Sequence, residues 1–271
     1  MPHGEGLTDA ARAIMTTDTV PKVAGTSCRI DGKEVRLAGI AKGSGMIHPN
    51  MATMLGFVLS DAEISGSALR EAVRRSADRS FNMISVDGDT STNDMLLVLA
   101  NGASTAPRIE SLSGEAGQSF YHALEELVQE LAVSIARDGE GATKLLEVRV
   151  EGAADERAAG ILARAVTRSN LVKAAFFGED ANWGRVLAAM GASGTSFDPS
   201  AVHISFSSKG GVVDLMRGGS PLEFDEEEAA AVLAEEEIGI RIGLGDGEAS
   251  ATAWGCDLSY EYVKINGDYR T

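Results

Sequence analysis

One threonine, Thr53, stands where an irregular loop meets an apolar run in the stretch AKGSGMIHPNMATMLGFVLSD, residues 41–61. Two readings are open for it. A β-branched residue commonly begins a strand, and a hydroxyl at a loop mouth can also serve as a nucleophile when a base activates it. A second polar cluster, SVDGDTSTNDM, places Asp87, Asp89, Ser91 and Asn93 at alternate positions, as a calcium loop would. An EF-hand, however, needs Gly at its sixth place and Glu at its twelfth, and those places hold Thr92 and Val98. The cluster therefore reads better as a polar turn whose side chains bond their own backbone. His3, His48, His122 and His203 form no His-x-x-x-His pair, so no zinc site is expected. Neither a Gly-x-Gly-x-x-Gly nor a P-loop pattern occurs, and Gly-x-Ser-x-Gly is missing as well. No metal or organic cofactor is expected.

The elements that must position these groups alternate in type. LTDAARAIM predicts a short helix that Thr8 or Asp9 could cap. TSCRIDGKEVRLAGIAK predicts a hairpin turning at Asp31-Gly32. MLGFVLSD and MLLVLANG read as apolar strands, the first of them buried. Between them SALREAVRRSADRSF has helical spacing, with Leu69, Val73 and Ala77 on one face. The longest predicted helix lies in SGEAGQSFYHALEELVQELAVSIARDGEG, with Leu124, Leu127, Leu131 and Ile135 as its stripe and Gly139 as its stop. KLLEVRVEG then reads as a strand, ADERAAGILARAVTRS as a helix, LVKAAFFG as a strand and NWGRVLAAMG as a short helix. AVHISFSS and GVVDLM form a hairpin around Lys209-Gly210-Gly211. An acidic helix follows, and IGIRIGLG with EASATAWGCDLSYEYVKIN closes the chain as a pair. Three helices in succession are not expected, so the reading is an α/β layered domain with mixed sheets and not a bundle. With no linker and no repeat, the 271 residues read as a single cooperative unit.

Bulk composition narrows the partners. Lys and Arg total 24 against 40 Asp and Glu, a formal charge of -16 that repels nucleic acid and anionic bilayers. No apolar run approaches the roughly 20 residues of a spanning helix, and MPHGEGLTDA lacks the features of a signal peptide. Cys28 and Cys256 are far apart in sequence, which fits a reducing cytoplasm. The chain is therefore expected in the cytoplasm, without nucleic acid or membrane as partner.

Five segments in order, AIMTTDTVPK, AKGSGMIHPNMATMLGFVLSDA, SFNMISVDGDTSTNDM, AAFFGEDANWGR and VKINGDYRT, resemble the ArgJ family of ornithine acetyltransferases, also called glutamate N-acetyltransferases. They spread over essentially the whole chain. The resemblance implies an α/β sandwich with mixed β-sheets between helix layers. It also implies self-cleavage between Ala52 and Thr53, giving an α fragment that ends with residues 1–52 and a β chain of residues 53–271. The hydroxyl of Thr53 would attack the carbonyl of Ala52, with Gly43 and Gly45 permitting the positive φ of a bent loop and Pro49 stiffening it. Once freed, the Thr53 amine, with a reference pKa of roughly 7.7 to 8, would act as base for its own hydroxyl. An acetyl group would pass from N-acetylornithine to Thr53 and then to glutamate, with acetyl-CoA left open as a further donor. Residue by residue, Lys42 matches a substrate-binding lysine, Glu179 a binding glutamate suited to an ammonium, and Asn266 and Thr271 a C-terminal pair that reaches the same pocket. The fragments would assemble as an α2β2 heterotetramer.

The pattern also departs from the family. Upstream of Thr53 nothing resembles the segment whose Thr-Gly pair forms the family's oxyanion hole, and Thr16-Thr17 is followed by no glycine. Two rival expectations stand beside the transferase: a self-processing hydrolase similar to the β-aminopeptidases, and an inactive or incomplete subunit that binds a partner.

Overall fold

Asp31 and Gly32 turn the chain with φ of 50° and 72°, both in the left-handed region that a two-residue hairpin turn requires. They join β1 (Lys22–Ile30) to β2 (Lys33–Lys42) in antiparallel register, Ile30 opposite Lys33 and Lys22 opposite Ala41. β3 (Leu55–Ser60) pairs antiparallel with β2, and β5 (Met95–Ala100) runs parallel to β3, so the sheet order is β1-β2-β3-β5. The computed structural model describes residues 4–50 and 53–269. They fall into two compact units, Met1–Asn82 with Asp89–Asp138, and Met83–Gly88 with Gly139–Thr271. The chain passes between the units three times, at 82/83, 88/89 and 138/139. Interleaving of this kind leaves no linker for a sequence to display.

In the first unit α3 (Glu115–Arg137) packs across β1 and β2, with α2 (Gly66–Arg79) against α3. The expected stripe is present: Leu124, Leu127, Leu131 and Ile135 are all buried. The approach is close at Gly39, where an added Cβ would lie 2.9 Å from Leu127 Cδ2 and 3.0 Å from Leu131 Cδ1. Three expectations are corrected here. α1 spans Gly4–Ala13, so Thr8 and Asp9 lie inside the helix and do not cap it. The buried stripe of α2 is Ala68, Ala72, Ser76 and Ala77, so Ala77 is buried as expected while Leu69 and Val73 are half-buried at its rim, because small residues allow the helix to pack closely. β3 is not a fully buried strand: Gly56, Val58 and Ser60 are buried, while Leu59 is exposed on the same face as Leu97 and Leu99 of β5.

The second unit holds a seven-stranded mixed sheet built from β4 (Ile84–Ser85), β6 (Leu145–Ala153), β7 (His203–Ser208), β8 (Gly211–Arg217), β9 (Ser220–Pro221), β10 (Glu237–Gly243) and β11 (Ala249–Cys256), in the order β4-β11-β6-β10-β7-β8-β9. Leu146, Val148 and Val150 alternate with Glu147 and Arg149 along β6, which gives the sheet one apolar and one polar face. α4 (Glu156–Arg168) packs on β6 and β11, and α7 (Glu226–Leu233) on β7 and β8. Each unit is thus a mixed sheet layered with helices, the α/β class that the sequence predicts.

LVKAAFFG, expected as a strand, is α5 (Asn170–Phe177). The Ser169 side chain accepts from the Val172 amide at 3.4 Å and starts the helix, and Val172, Lys173, Ala175 and Phe176 form its buried side. With α6 (Trp183–Gly191) this makes three helices in succession, against expectation. A short apolar run does not distinguish a buried strand from a buried helix. The closing pair is also corrected. β10 and β11 do not pair with each other; both pair with β6, one parallel and one antiparallel. The end of the predicted last strand is α8 (Tyr260–Asp268), which Ser259 caps.

Candidate active site

The loop that leads to Thr53 is anchored at its start by buried charge. Lys22 Nζ lies 2.7 Å from Asp18 Oδ1 and 2.6 Å from Asp138 Oδ2, with side-chain exposures of 1%, 0% and 7% respectively. Asp18 also accepts from the Gly43 amide at 2.7 Å and from the Thr16 amide at 3.1 Å. Burial alone would raise the Asp18 carboxyl; the Gly43 amide, Lys22 and the Thr16 amide together outweigh it and hold the group below the ordinary carboxylate value. The Ser44 hydroxyl donates to the Asp138 carbonyl at 2.7 Å. Gly43 takes φ 150°, as expected, but the second positive φ falls on Met46, at 53°, and not on Gly45. Beyond it, the His48 carbonyl accepts from Thr90 Oγ1 at 3.0 Å.

Thr53 follows this loop, and its surroundings come from the segment that resembled a calcium site. Its hydroxyl donates to Ser91 Oγ, which also accepts from the Asn93 amide at 3.1 Å. Met46 Sδ lies 3.7 Å from Thr53 Oγ1. The next residue, Met54, is fully buried and held on both sides: its amide donates to Asp94 Oδ1 at 2.7 Å and its carbonyl accepts from the Met95 amide at 2.8 Å. Asp94 Oδ2 is buried and has no hydrogen-bond partner among the described residues. Burial raises the Asp94 carboxyl above its ordinary value despite the opposing Met54 amide.

Lys42, at the end of β2, is buried and donates to Thr16 Oγ1 at 2.9 Å. An ammonium has three donors, so this bond leaves capacity for a carboxylate. Lys42 and Thr53 therefore belong to the first unit, bracketing the 43–50 loop. Glu179 and Asn266 belong to the second. Glu179 follows α5, and not the end of a strand, with φ 55°; its Oε1 is 3.2 Å from Lys144 Nζ, which also donates to the Leu233 carbonyl at 2.7 Å. Asn266, on α8, donates to Glu140 Oε2 at 2.7 Å and to the Tyr262 carbonyl at 3.0 Å. Ala52 and Thr271, named from the resemblance, lie outside the described residues.

Sequence reading missed Thr16, Asp18, Lys22, Ser91, Asp94 and Asp138. No glycine follows Thr16-Thr17 to mark Thr16 as part of a Thr-Gly pair, and the neighbourhood of Ser91 reads as a self-bonded turn. The available signal was the density of small polar residues in GDTSTND, which shows that a polar turn exists but not which partner it faces.

Comparison with known proteins gives this geometry its context. A model of the ArgJ family matches residues 2–271. The chain belongs to the ArgJ family. It is 60% identical over 268 residues to the arginine biosynthesis bifunctional protein ArgJ of Symbiobacterium thermophilum, covering 98% of this chain and 65% of that protein. It is 53% identical over 267 residues to the protein of that name from Caldanaerobacter subterraneus subsp. tengcongensis, covering 98% and 66%. The chain thus spans about 65% of the length of the curated relatives it matches most strongly. The crystal structure of arginine biosynthesis bifunctional protein ArgJ from Bacillus halodurans matches with a TM-score of 0.75 at 42% identity, over 80% of this chain and 100% of that one. Among the described residues no helix is long and apolar enough to cross a membrane, and no group of three or more His, Cys, Asp or Glu could hold a metal ion.

Proposed function

We propose that this chain carries the nucleophile of a glutamate N-acetyltransferase of arginine biosynthesis, which moves an acetyl group from N-acetylornithine to glutamate through an ester on Thr53. The observation that carries the reading is Thr53 itself. Its hydroxyl is held by Ser91, and its backbone is fixed on the downstream side through Met54. It does so in a chain whose curated relatives are named for arginine biosynthesis.

Self-processing comes first. Thr53 Oγ1 attacks the carbonyl carbon of Ala52, a C–O bond forms, the C–N bond breaks, and the hydroxyl proton ends on the Thr53 nitrogen. Water then hydrolyses the ester, leaving an Ala52 carboxylate and a free Thr53 amine.

In the mature form the amine, with a reference pKa of roughly 7.7 to 8, takes the proton from Thr53 Oγ1 as the hydroxyl attacks the acetyl carbonyl. It returns that proton to the departing ornithine nitrogen, and glutamate reverses the sequence. Lys42 pairs with a substrate carboxylate, and Glu179, Asn266 and Thr271 hold the amino-acid end. Acetyl-CoA is proposed as the second donor, in keeping with the word bifunctional in the relatives' names. The Thr-Gly oxyanion pair is assigned to the extra length of those relatives, and one such donor contributes on the order of 100- to 1000-fold in turnover. The assembly proposed is α2β2, working in a reducing cytoplasm where Cys28 and Cys256 stay free.

Mass spectrometry and a transfer assay test this reading together. A fragment beginning at Thr53 and acetyl exchange between N-acetylornithine and glutamate are expected, and both should vanish in Thr53→Ala. Release of acetate without transfer to glutamate would instead favour the hydrolase similar to β-aminopeptidases, and processing that survives Thr53→Ala would reject the assignment.

A further inference from the structure

Self-cleavage at Thr53 needs a proton acceptor that the mature chemistry does not supply. The amine that activates Thr53 in the mature enzyme does not exist until the Ala52–Thr53 bond has broken, so the first attack needs another proton acceptor. An unassisted threonine hydroxyl is a weak nucleophile. In the structure the group that meets Thr53 Oγ1 is the Ser91 hydroxyl, from the polar segment whose purpose sequence alone left open.

We propose that Ser91 is the residue that takes the Thr53 hydroxyl proton in the uncut chain. Three observations carry this. Ser91 is buried, 4% exposed, although serine ordinarily prefers water. Its oxygen is oriented as an acceptor, since the Asn93 amide donates to it at 3.1 Å, and the Thr53 hydroxyl is the second donor. That arrangement directs the Thr53 proton toward Ser91 and leaves the lone pairs of Thr53 Oγ1 available for attack. Finally, the segment that carries Ser91 also fixes the chain just past the scissile bond. Asp94 takes the Met54 amide and Met95 donates to the Met54 carbonyl. Thr53 and Met54 are thereby held from one short stretch, by Ser91 and by Asp94 three residues further on.

The step balances without a further reagent. Thr53 Oγ1 bonds to the Ala52 carbonyl carbon while its proton passes to Ser91 Oγ. Ser91 releases its own hydroxyl proton to the Thr53 nitrogen as the C–N bond breaks, and the serine is restored. The role rests on the self-processing reading and belongs to the uncut chain.

The test compares three replacements in the 271-residue chain, following conversion of the intact 28.3 kDa species by mass spectrometry. Ser91→Ala is expected to slow conversion about 100-fold, the low end of what a positioned proton acceptor supplies. Ser91→Thr and Ser91→Val have nearly the same shape and differ in the hydroxyl, so only the first should recover a rate within about tenfold of the original. A purely packing role predicts equal rates for that pair. Melting curves confirm that each variant is folded. Conversion of Ser91→Ala within threefold of the unaltered chain, or equal rates for Ser91→Thr and Ser91→Val, overturns the proposal while leaving Thr53 as nucleophile intact. An unaltered chain that never converts, or Thr53→Ala that still converts, overturns the self-processing reading and this proposal with it.

Discussion

At the scale of single residues, the two carboxylates that bond the backbone at Gly43 and at Met54 are tuned in opposite directions. Asp18 is buried, but the Gly43 amide, Lys22 and the Thr16 amide together favour its charged form. Asp94 is burdened by desolvation that the Met54 amide and its own amide do not offset. For Asp18 the sign follows directly: a folded value below the ordinary 3.8 contributes stability that is complete above 3.8 and is lost as pH falls through the lower folded value. The unaltered chain should therefore lose stability on acidification below about pH 3.8, with the slope that one carboxylate adds. Asp18→Asn should start from a lower stability, because Lys22 loses a charged partner in the interior, and show a shallower acid slope. Chemical denaturation at several pH values measures both. None of these pairings was legible in the sequence. Lys22 and Asp138 are 116 positions apart, and a lysine near the start of a strand carries no mark of the carboxylate it will meet.

At the scale of elements, the first sheet and α3 meet where glycine allows it. An added Cβ at Gly39 would stand 2.9 Å and 3.0 Å from two leucine methyls and 3.1 Å from the Phe57 carbonyl oxygen. Part of this crowding is flexible side chain and part is backbone, so Gly39→Ala should cost about 1–3 kcal/mol through overpacking, read as a drop in unfolding midpoint at unchanged m-value. Elements that announce themselves by turn chemistry or by a long period were readable in advance: the Asp31-Gly32 hairpin, the leucine stripe of α3, and the β7–β8 hairpin. α5 was not. Its eight residues are too few to display a helical period, and it is the Ser169 cap and the burial of one side that make it a helix. Pairing order escaped for a related reason: Ile238, Ile240 and Ile242 show that β10 buries one face, but an apolar face does not name the neighbouring strand.

For the molecule as a whole, the question is how many parts it melts in. Two compact units are present, each with its own sheet, yet the chain crosses between them three times. The short β4 at residues 84–85 belongs to the second sheet while the segments on either side of residues 83–88 belong to the first unit. Pulling one unit apart therefore strains the covalent path of the other, and calorimetry should show a single transition with matching calorimetric and van't Hoff enthalpies. Two resolved transitions would mean that the interleaving does not couple them. The charge of -16 acts at the same scale: self-repulsion in the compact state is screened over about 8–10 Å at moderate ionic strength, so the midpoint should rise modestly with salt.

Sequence by itself determined the family, the α/β class and the candidate nucleophile, because ordered motifs, turn residues and long apolar periods are properties of neighbouring positions along the chain. Only the tertiary structure decided what faces Thr53, that Lys22 bridges two aspartates below Gly43, and that β6 separates β10 from β11. Those choices depend on burial and on groups tens to more than a hundred positions away, where a side chain's identity says what it can bond but not which partner the packed core will bring to it.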